Sequence, residues 1–421
     1  MRDGEHEEFS LRRIAVPAYG PSTLWAVGNG ATLPIIALTA RQLGASVGVA
    51  ALFVGIVSAA EFACAVPAGV FVDRVGETRA LIIAGLADAV ASALALLARD
   101  LWVLGAALFL LGPTGAVFLL ARQTYLSAAA PPHLRARALS TLGGVTRIGL
   151  FLGPLIGAPV VARWDAQAGF AVEAVTSLLA AVLAALAADL SITRTAEEST
   201  RERSTVRAVV AGHRRVFLTV GVGVLAIGLA RSSRAVAVPL WAEHIGLTAA
   251  QTSLVFGFAF AVEALLFYPA GSVMDRRGRV FVAVPMAVIL GACLVALPLT
   301  HTLVGVGVVS VIMGLGNGLG SGIVMTLGAD AAPEHGQAQF FGVWRVLVLV
   351  GQNGAAIVVG AIAAVASIGA ASVTVGVLAL AGGGWLWRWL PEYDPRRALV
   401  ADDRDGVSRA VRSPREAPPG P

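Results

Sequence analysis

Lysine is absent from this chain of 421 residues, and all 31 of its basic residues are arginine. Without lysine there is no phosphate-binding loop of the GKS or GKT type and no Schiff-base nucleophile, which excludes an ATP-driven pump of that kind and imine chemistry. Charge of either sign is scarce. Only 14% of residues are charged while 57% are hydrophobic, and the mean hydropathy is +0.79. That is too little polar surface to coat a soluble globule of this size, so the chain belongs in lipid. The two cysteines, Cys64 and Cys293, both fall inside apolar runs, which argues for apolar filling rather than a disulfide. The opening MRDGEHEEFSLRR is acidic and polar. It lacks the basic tract and short apolar core of a cleavable signal, so the first apolar run is expected to act as its own insertion signal.

Twelve apolar runs are present, each about as long as a helix needs to cross the hydrocarbon core. Spans 1 to 6 lie near 15–39, 47–72, 79–98, 101–128, 136–161 and 167–190, and spans 7 to 12 near 216–240, 249–273, 280–299, 302–328, 338–363 and 366–390. The chain is also duplicated. PAGVFVDRVG from Pro67 to Gly76 returns as PAGSVMDRRG from Pro269 to Gly278, 202 residues later, and at that offset Gly44, Gly55 and Glu61 meet Gly246, Gly257 and Glu263. Duplicated membrane halves are the sequence mark of a secondary transporter.

Arginines cluster in the segments after spans 2, 4, 6, 8 and 12, while the opposite loops hold only Arg41, Arg99 and Arg163. The positive-inside rule then places both termini in the cytoplasm. It also accounts for the net charge of +5 without nucleic acid as a partner. The expected organisation is a cytoplasmic N-terminal segment (1–14), a six-helix bundle (15–192), a cytoplasmic linker (193–215), a second six-helix bundle (216–390) and a polar, disordered cytoplasmic tail (391–421).

Between spans 2 and 3 stands Gly69-x-x-x-Asp73-Arg74-x-Gly76-x-x-Arg79, and between spans 8 and 9 its copy Gly271-x-x-x-Asp275-Arg276-x-Gly278-Arg279. Glycine permits close helix approach, the aspartate ends its helix at the membrane surface, and the arginines stay in the cytoplasm or pair with carboxylates and helix C-termini. A tight turn carrying positive-inside charge would leave the same pattern. In sequence and position the motif resembles the signature of the major facilitator superfamily, over essentially the whole chain. The resemblance implies an all-helical membrane protein with two pseudo-symmetric six-helix bundles around a central cavity. It also implies latch loops that hold the halves together on the cytoplasmic side. Span 5 carries Gly149-x-x-x-Gly153-Pro154-x-x-Gly157-Ala158, which resembles the fifth-helix motif of proton-driven antiporters in that superfamily and implies export. Gly-Pro kinks also occur in membrane helices without implying direction. The arginine those exporters carry near the start of span 4 is missing, the matching stretch being Leu108 to Gly112. Arg122, further along span 4, is the candidate to replace it.

Ionisable groups inside the spans are costly and therefore paired or functional. Glu61 lies twelve residues before Asp73, roughly 18 Å along its helix, and Glu263 repeats it. Arg147 lies ten residues beyond Arg137, roughly 15 Å inward, and Arg345 sits at a similar depth beyond His335. The superfamily's architecture sets span 2 against span 11 and span 5 against span 8. It therefore implies the pairs Glu61 with Arg345 and Glu263 with Arg147 across the boundary between halves. The rival pairing, Glu61 with Arg147 and Glu263 with Arg345, stays within each half. No histidine lies inside a span, so a proton-coupled carrier must titrate a carboxylate: Glu61, Glu263, Asp88 or Glu173, with Arg122 a candidate partner for Asp88. Structural ion pairing alone would leave the same residues. Arg231 and Arg234 share a face of span 7, placed to bind an anionic substrate or to snorkel to the outer interface. The glycine-rich run from Gly314 to Gly322 reads as close packing. By the resemblance, Trp25, Asn29, Tyr125, Arg231 and Asn317 are candidate substrate contacts.

The expected activity is proton-coupled export of a small organic compound by alternating access in a bacterial inner membrane. The partners are then a small-molecule substrate, protons and the lipid bilayer, and the working unit a monomer. No catalytic residue, cofactor or metal is expected, and the chain is not read as an enzyme. An importer or uncoupled facilitator of the same fold, and a non-transporting sensor, are the alternatives.

Overall fold

The computed structural model describes residues 11–129, 132–186, 210–320, 322–333 and 337–393. His335, most of the 193–215 segment, the first ten residues and the tail from 394 onward lie outside them. The described residues are helical. Among the described residues eleven helices are long and apolar enough to cross a membrane, and a bent pair counted as one span makes twelve.

Helix 1 runs from Leu11 to Thr32 and continues, after a break, as Ile36–Gln42. Sequence reading expects one straight span here, but the two pieces are bent by 42°. Pro34 sits in the break, where its missing N–H removes a helical hydrogen bond. Helices 2 to 6 are Val47–Val75, Glu77–Leu96, Leu101–Ala129, Pro132–Arg163 and Gly169–Leu186. Helix 7 spans Arg214–His244 with a π turn at Phe217–Gly221. Helices 8 and 9 are Ala249–Arg277 and Val280–Ala296. Helix 10 departs from expectation, because it stops at Leu319 and restarts as Ile323–Ala331. Gly322 lies in the interruption at φ 83°, a left-handed conformation that only glycine adopts without strain. Helices 11 and 12 are Gln337–Val365 and Ile368–Trp389.

The duplication extends to the caps and turns. Ser46 caps helix 2 by accepting from the Val49 N–H, and Thr248, its counterpart 202 residues on, caps helix 8 through a reciprocal box with Gln251. Gly76 and Gly278 both adopt positive φ in the turns after helices 2 and 8 (87° and 96°), as do Gly44 and Gly246 at the opposite end (91° and 83°). These turns define two ends of the molecule, the Gly76/Gly278 end and the Gly44/Gly246 end.

Between the two sets of six helices, the extensive contacts are helix 5 with helix 8 and helix 2 with helix 11. The closest approaches lie toward the Gly44/Gly246 end. A Cβ on Gly48 would stand 2.8 Å from the Gly360 carbonyl oxygen and one on Gly360 2.8 Å from that of Gly48, so these helices meet backbone to backbone. Gly55 packs against the Ala356 methyl, and Gly257 against the side chains of Leu155 and Pro154. Toward the Gly76/Gly278 end of the boundary helices, Gly144 and Gly342 have nothing within 4 Å of such a Cβ.

Candidate functional site

Two clusters of charge sit at mid-depth on the boundary between halves. Glu263 is held from both sides: Arg147 Nη1 on helix 5 donates to its Oε1 at 3.1 Å, and Arg234 Nη2 on helix 7 donates to its Oε2 at 3.1 Å. The first of these bonds crosses between halves, so Arg147 and Glu263 adopt the cross-boundary arrangement. The second was not anticipated. Arg234 is only 8% exposed, and its guanidinium also lies over the Phe260 ring at 5.3 Å. Snorkelling to the interface does not occur at Arg234. Helix 7 extends four residues further than expected, to His244, which leaves Arg231 and Arg234 near mid-helix and turned toward helix 8. Arg231 lies within electrostatic reach of Glu263, Arg234 and Arg147. Asn317 on helix 10 is buried beside Glu263.

Glu61 and Arg345 face each other across the other half of the boundary. They line one cavity of about 250 Å³ with Phe62, Ala65, Gln123 and Leu349, close enough to interact electrostatically but without a direct ion pair. Both glutamates owe their setting to a repeated contact. Gly112 on helix 4 presses against the Val57 carbonyl and the Glu61 backbone, and Gly314, 202 residues on, presses against the Ala259 carbonyl. Gly318 then brings helix 10 onto the Glu263 backbone, with a Cβ there 3.0 Å from Glu263 Cα.

Asp88 and Glu173 form a third centre, buried inside the first six helices. Thr114 on helix 4 donates to Asp88 Oδ1, and Ser177 on helix 6 donates to Oδ2 at 2.6 Å. Those hydroxyls replace the arginine expected beside Asp88; Arg122, though buried on helix 4, instead neighbours Tyr125. Glu173 sits within reach of Asp88, with Thr32 and Ser92 beside it. Trp25 stacks on Phe118 at 5.4 Å and borders Asp88. Asn29, half-buried, stands one turn further along helix 1.

The remaining motif residues position helices. Gly149, Gly153 and Gly157 line the face of helix 5 against helix 1, where a Cβ would meet Ala26, the Val27 carbonyl and Ala31, and Pro154 turns to helix 8. Gly69 approaches Leu120 on helix 4 at 3.4 Å. Asp73, Arg74, Arg79 and Arg276 are exposed, while the exposure of Gly271 and Asp275 lies outside what the structure describes. Arg279 binds Asp330 through two bonds, at 2.7 and 3.2 Å, within the second half. Sequence reasoning also missed the ion pair at the Gly44/Gly246 end, where Arg41 Nε meets both Glu243 oxygens at 3.0 Å. The two residues are 202 apart, so repeat mates bond across the pseudo-symmetry axis. Extending the repeat alignment to charges of opposite sign would have found them.

The sequence model of the Major Facilitator Superfamily matches residues 23–355 and 223–416. Multidrug resistance protein MdtG of Proteus mirabilis is 30% identical over 164 residues, covering 38% of this chain and 40% of that protein. Its counterpart in Enterobacter lignolyticus is 32% identical over 182 residues, covering 41% and 43%. The chain thus matches less than half the length of these relatives. Among solved structures, a POT family transporter in complex with a thioalcohol-conjugated peptide superposes with a TM-score of 0.75 at 12% identity, covering 91% of this chain and 96% of that one. Peptide transporter POT in complex with sulfate gives 0.73 at 14%, covering 90% and 94%. At such identities the likeness is one of fold.

Proposed function

The chain belongs to the Major Facilitator Superfamily, and on that premise we propose that it exports a small organic compound from a bacterial cell by alternating access, driven by proton entry. The observation that carries the reading is the one-ended packing of the two halves. They are clamped at the Gly44/Gly246 end by backbone contact of Gly48 with Gly360 and by the Arg41–Glu243 pair. With the Gly76/Gly278 turns on the cytoplasmic side, the orientation the arginine distribution favours, this is an inward-facing state. Rocking to the outward-facing state must open that clamp and rearrange the charges at the boundary.

Coupling follows from the two clusters. A carboxylate held by arginine favours its charged form, and one left alone in low dielectric favours its protonated form. Glu61, facing Arg345 across a cavity without a direct bond, is the group we assign to exchange protons. Asp88 and Glu173 are the reserve site. The fifth-helix glycine face and the multidrug relatives support the outward direction.

The test is cellular accumulation of a chemically varied compound panel, comparing wild type with Glu61→Gln, each with and without a protonophore. Export through Glu61 requires that expression lower the accumulation of some compound and that both the mutation and the protonophore abolish the effect. Faster equilibration that never runs against a gradient and ignores the protonophore would replace export with facilitated diffusion.

A further inference from the structure

The two boundary clusters differ in charge balance. Glu61 faces one arginine, Arg345, and the pair is neutral. Glu263 faces three, namely Arg147, Arg231 and Arg234. The surplus is specific to the second half, because the residues 202 positions before Arg231 and Arg234 are Asn29 and Thr32. Arginine cannot relieve it by losing a proton, because the guanidinium stays protonated in proteins. Desolvating unmatched charge is costly, so a site of this composition persists only where something offsets the cost.

Geometry shows where that offset would arise. Arg234 spends Nη2 on Glu263 and its ring face on Phe260, yet its Nη1 is buried with no hydrogen-bond partner. Arg231, three residues earlier and so on the same helix face, makes no ion pair with any described residue. Asn317 supplies a neutral amide beside the same carboxylate. Two guanidinium groups with donors to spare, converging at a helix 7–helix 8 contact beside the boundary, match the forked geometry with which arginine binds carboxylate and phosphonate oxygens.

We infer that Arg231 and Arg234, with Glu263 as the internal counter-ion that orients Arg234, form the substrate subsite, and that the transported compound is a small organic anion bearing a carboxylate or phosphonate. The inference rests on the transport reading for the word "transported", but binding itself is independent of it. Net charge decides the class: a lipophilic cation would add a further positive charge to a site already in excess by two, whereas an acid neutralises the surplus.

The experiment uses the full chain in nanodiscs of neutral phosphatidylcholine, at constant ionic strength set with sodium chloride, and reads the melting temperature. Phenylphosphonate and benzoate are compared with benzamide, benzyltrimethylammonium and inorganic phosphate. The two organic acids should raise the melting temperature saturably, by about 2 to 4 °C or more, and the amide and the cation should not. Arg231→Gln should weaken the apparent affinity for phenylphosphonate at least about tenfold, the loss of one charge-assisted contact, while leaving the ligand-free melting temperature equal or higher because a surplus charge has gone. Arg231→Lys should retain part of the affinity. Equal stabilisation by benzamide, or undiminished affinity in Arg231→Gln, overturns the inference, and stabilisation by inorganic phosphate without stabilisation by the organic acids reduces the site to an inorganic anion site and overturns the substrate class. Binding without movement in the accumulation assay would defeat the transport reading and leave this subsite standing. Export restricted to neutral or cationic compounds would do the reverse.

Discussion

Replacing Gly360 by valine tests whether the close approach of helices 2 and 11 holds this end shut. The added Cβ would stand 2.8 Å from the Gly48 carbonyl oxygen, 3.4 Å from Ala51 Cβ and 3.5 Å from Leu52 Cγ. An ordinary carbon–oxygen contact is about 3.3 to 3.6 Å, so the helices must part by more than half an ångström, and the obstacle is backbone that no rotamer change relieves. Overpacking of that kind costs about 1–3 kcal/mol. The clamped state bears the cost and a state with these helices separated does not, so the equilibrium shifts by about 5- to 150-fold. The reporter is Ala45→Cys, a buried position beside the Arg41 contact, in a Cys64→Ser, Cys293→Ser background, labelled from outside with a membrane-impermeant maleimide. Its labelling rate should rise by that factor in Gly360→Val. Gly342→Val, on the same helix but with nothing within 4 Å of its Cβ, should leave it unchanged. Unaltered labelling in a Gly360→Val protein that still inserts and stays monodisperse would refute the reasoning.

The two boundary clusters should answer differently to exchange of charge. Swapping Glu61→Arg with Arg345→Glu preserves a neutral pair and should restore most activity lost in either single variant, whereas Arg147→Glu with Glu263→Arg places the new arginine against Arg234 and Arg231 and should remain inactive in the accumulation assay. The Arg41–Glu243 pair is about one-third exposed (31% and 33%), so solvent screening limits it to at most about 1 kcal/mol. Arg41→Gln should accelerate labelling of the same reporter by no more than about fivefold, and raising salt should shrink the difference. Thr114→Val keeps the volume but removes one of the two hydroxyls that donate to buried Asp88, which should cost about 1–3 kcal/mol in denaturant unfolding, and Ser177→Ala should cost a similar amount.

Most of the fold was legible because the bilayer imposes a length. Runs of about twenty apolar residues set all twelve spans, and the offset of 202 set the correspondence between Gly76 and Gly278 and between Glu61 and Glu263. Depth was legible too, since helical rise turns residue number into distance: Arg147 and Glu263 do lie at one level. Rotation about each helix axis was not legible. Which residues of helices 4 and 6 meet Asp88 depends on how those helices are turned and set against helix 3: Thr114 and Ser177 reach it, while Arg122 lies eight residues, roughly 12 Å, further along helix 4 than Thr114. The sequence left Arg234 open between the interior and the interface, because an error of four residues at the end of helix 7 moves a guanidinium by roughly 6 Å along the membrane normal. Pro34 announced the bend in helix 1, whereas the glycines around helix 10 hid a break within a run that also reads as close packing.

Where the halves agree and where they diverge separates mechanics from recognition. The caps Ser46 and Thr248, the left-handed turns at Gly76 and Gly278, the pressing glycines Gly112 and Gly314 and the glutamates behind them are kept in both halves. A rocking machine needs matched surfaces on either side of its axis, so symmetry is what those residues supply. Divergence falls elsewhere. The residues 202 positions before Arg231 and Arg234 are Asn29 and Thr32, and the Gly153-Pro154 pair of helix 5 has only Gly351 and Gln352, 198 positions on, as counterparts in helix 11. Arg41 and Glu243 are repeat mates of opposite charge, which lets one position bond to its own copy across the axis. A compound in a central cavity breaks the twofold relation, so groups that recognise it are free to differ between halves, whereas groups that pair across the axis need only remain complementary, as Arg41 and Glu243 do. On the proposed transport reading, Glu61 and Glu263 belong to the shared machinery, and Glu263 serves in addition as counter-ion to the second-half arginines proposed to hold the substrate.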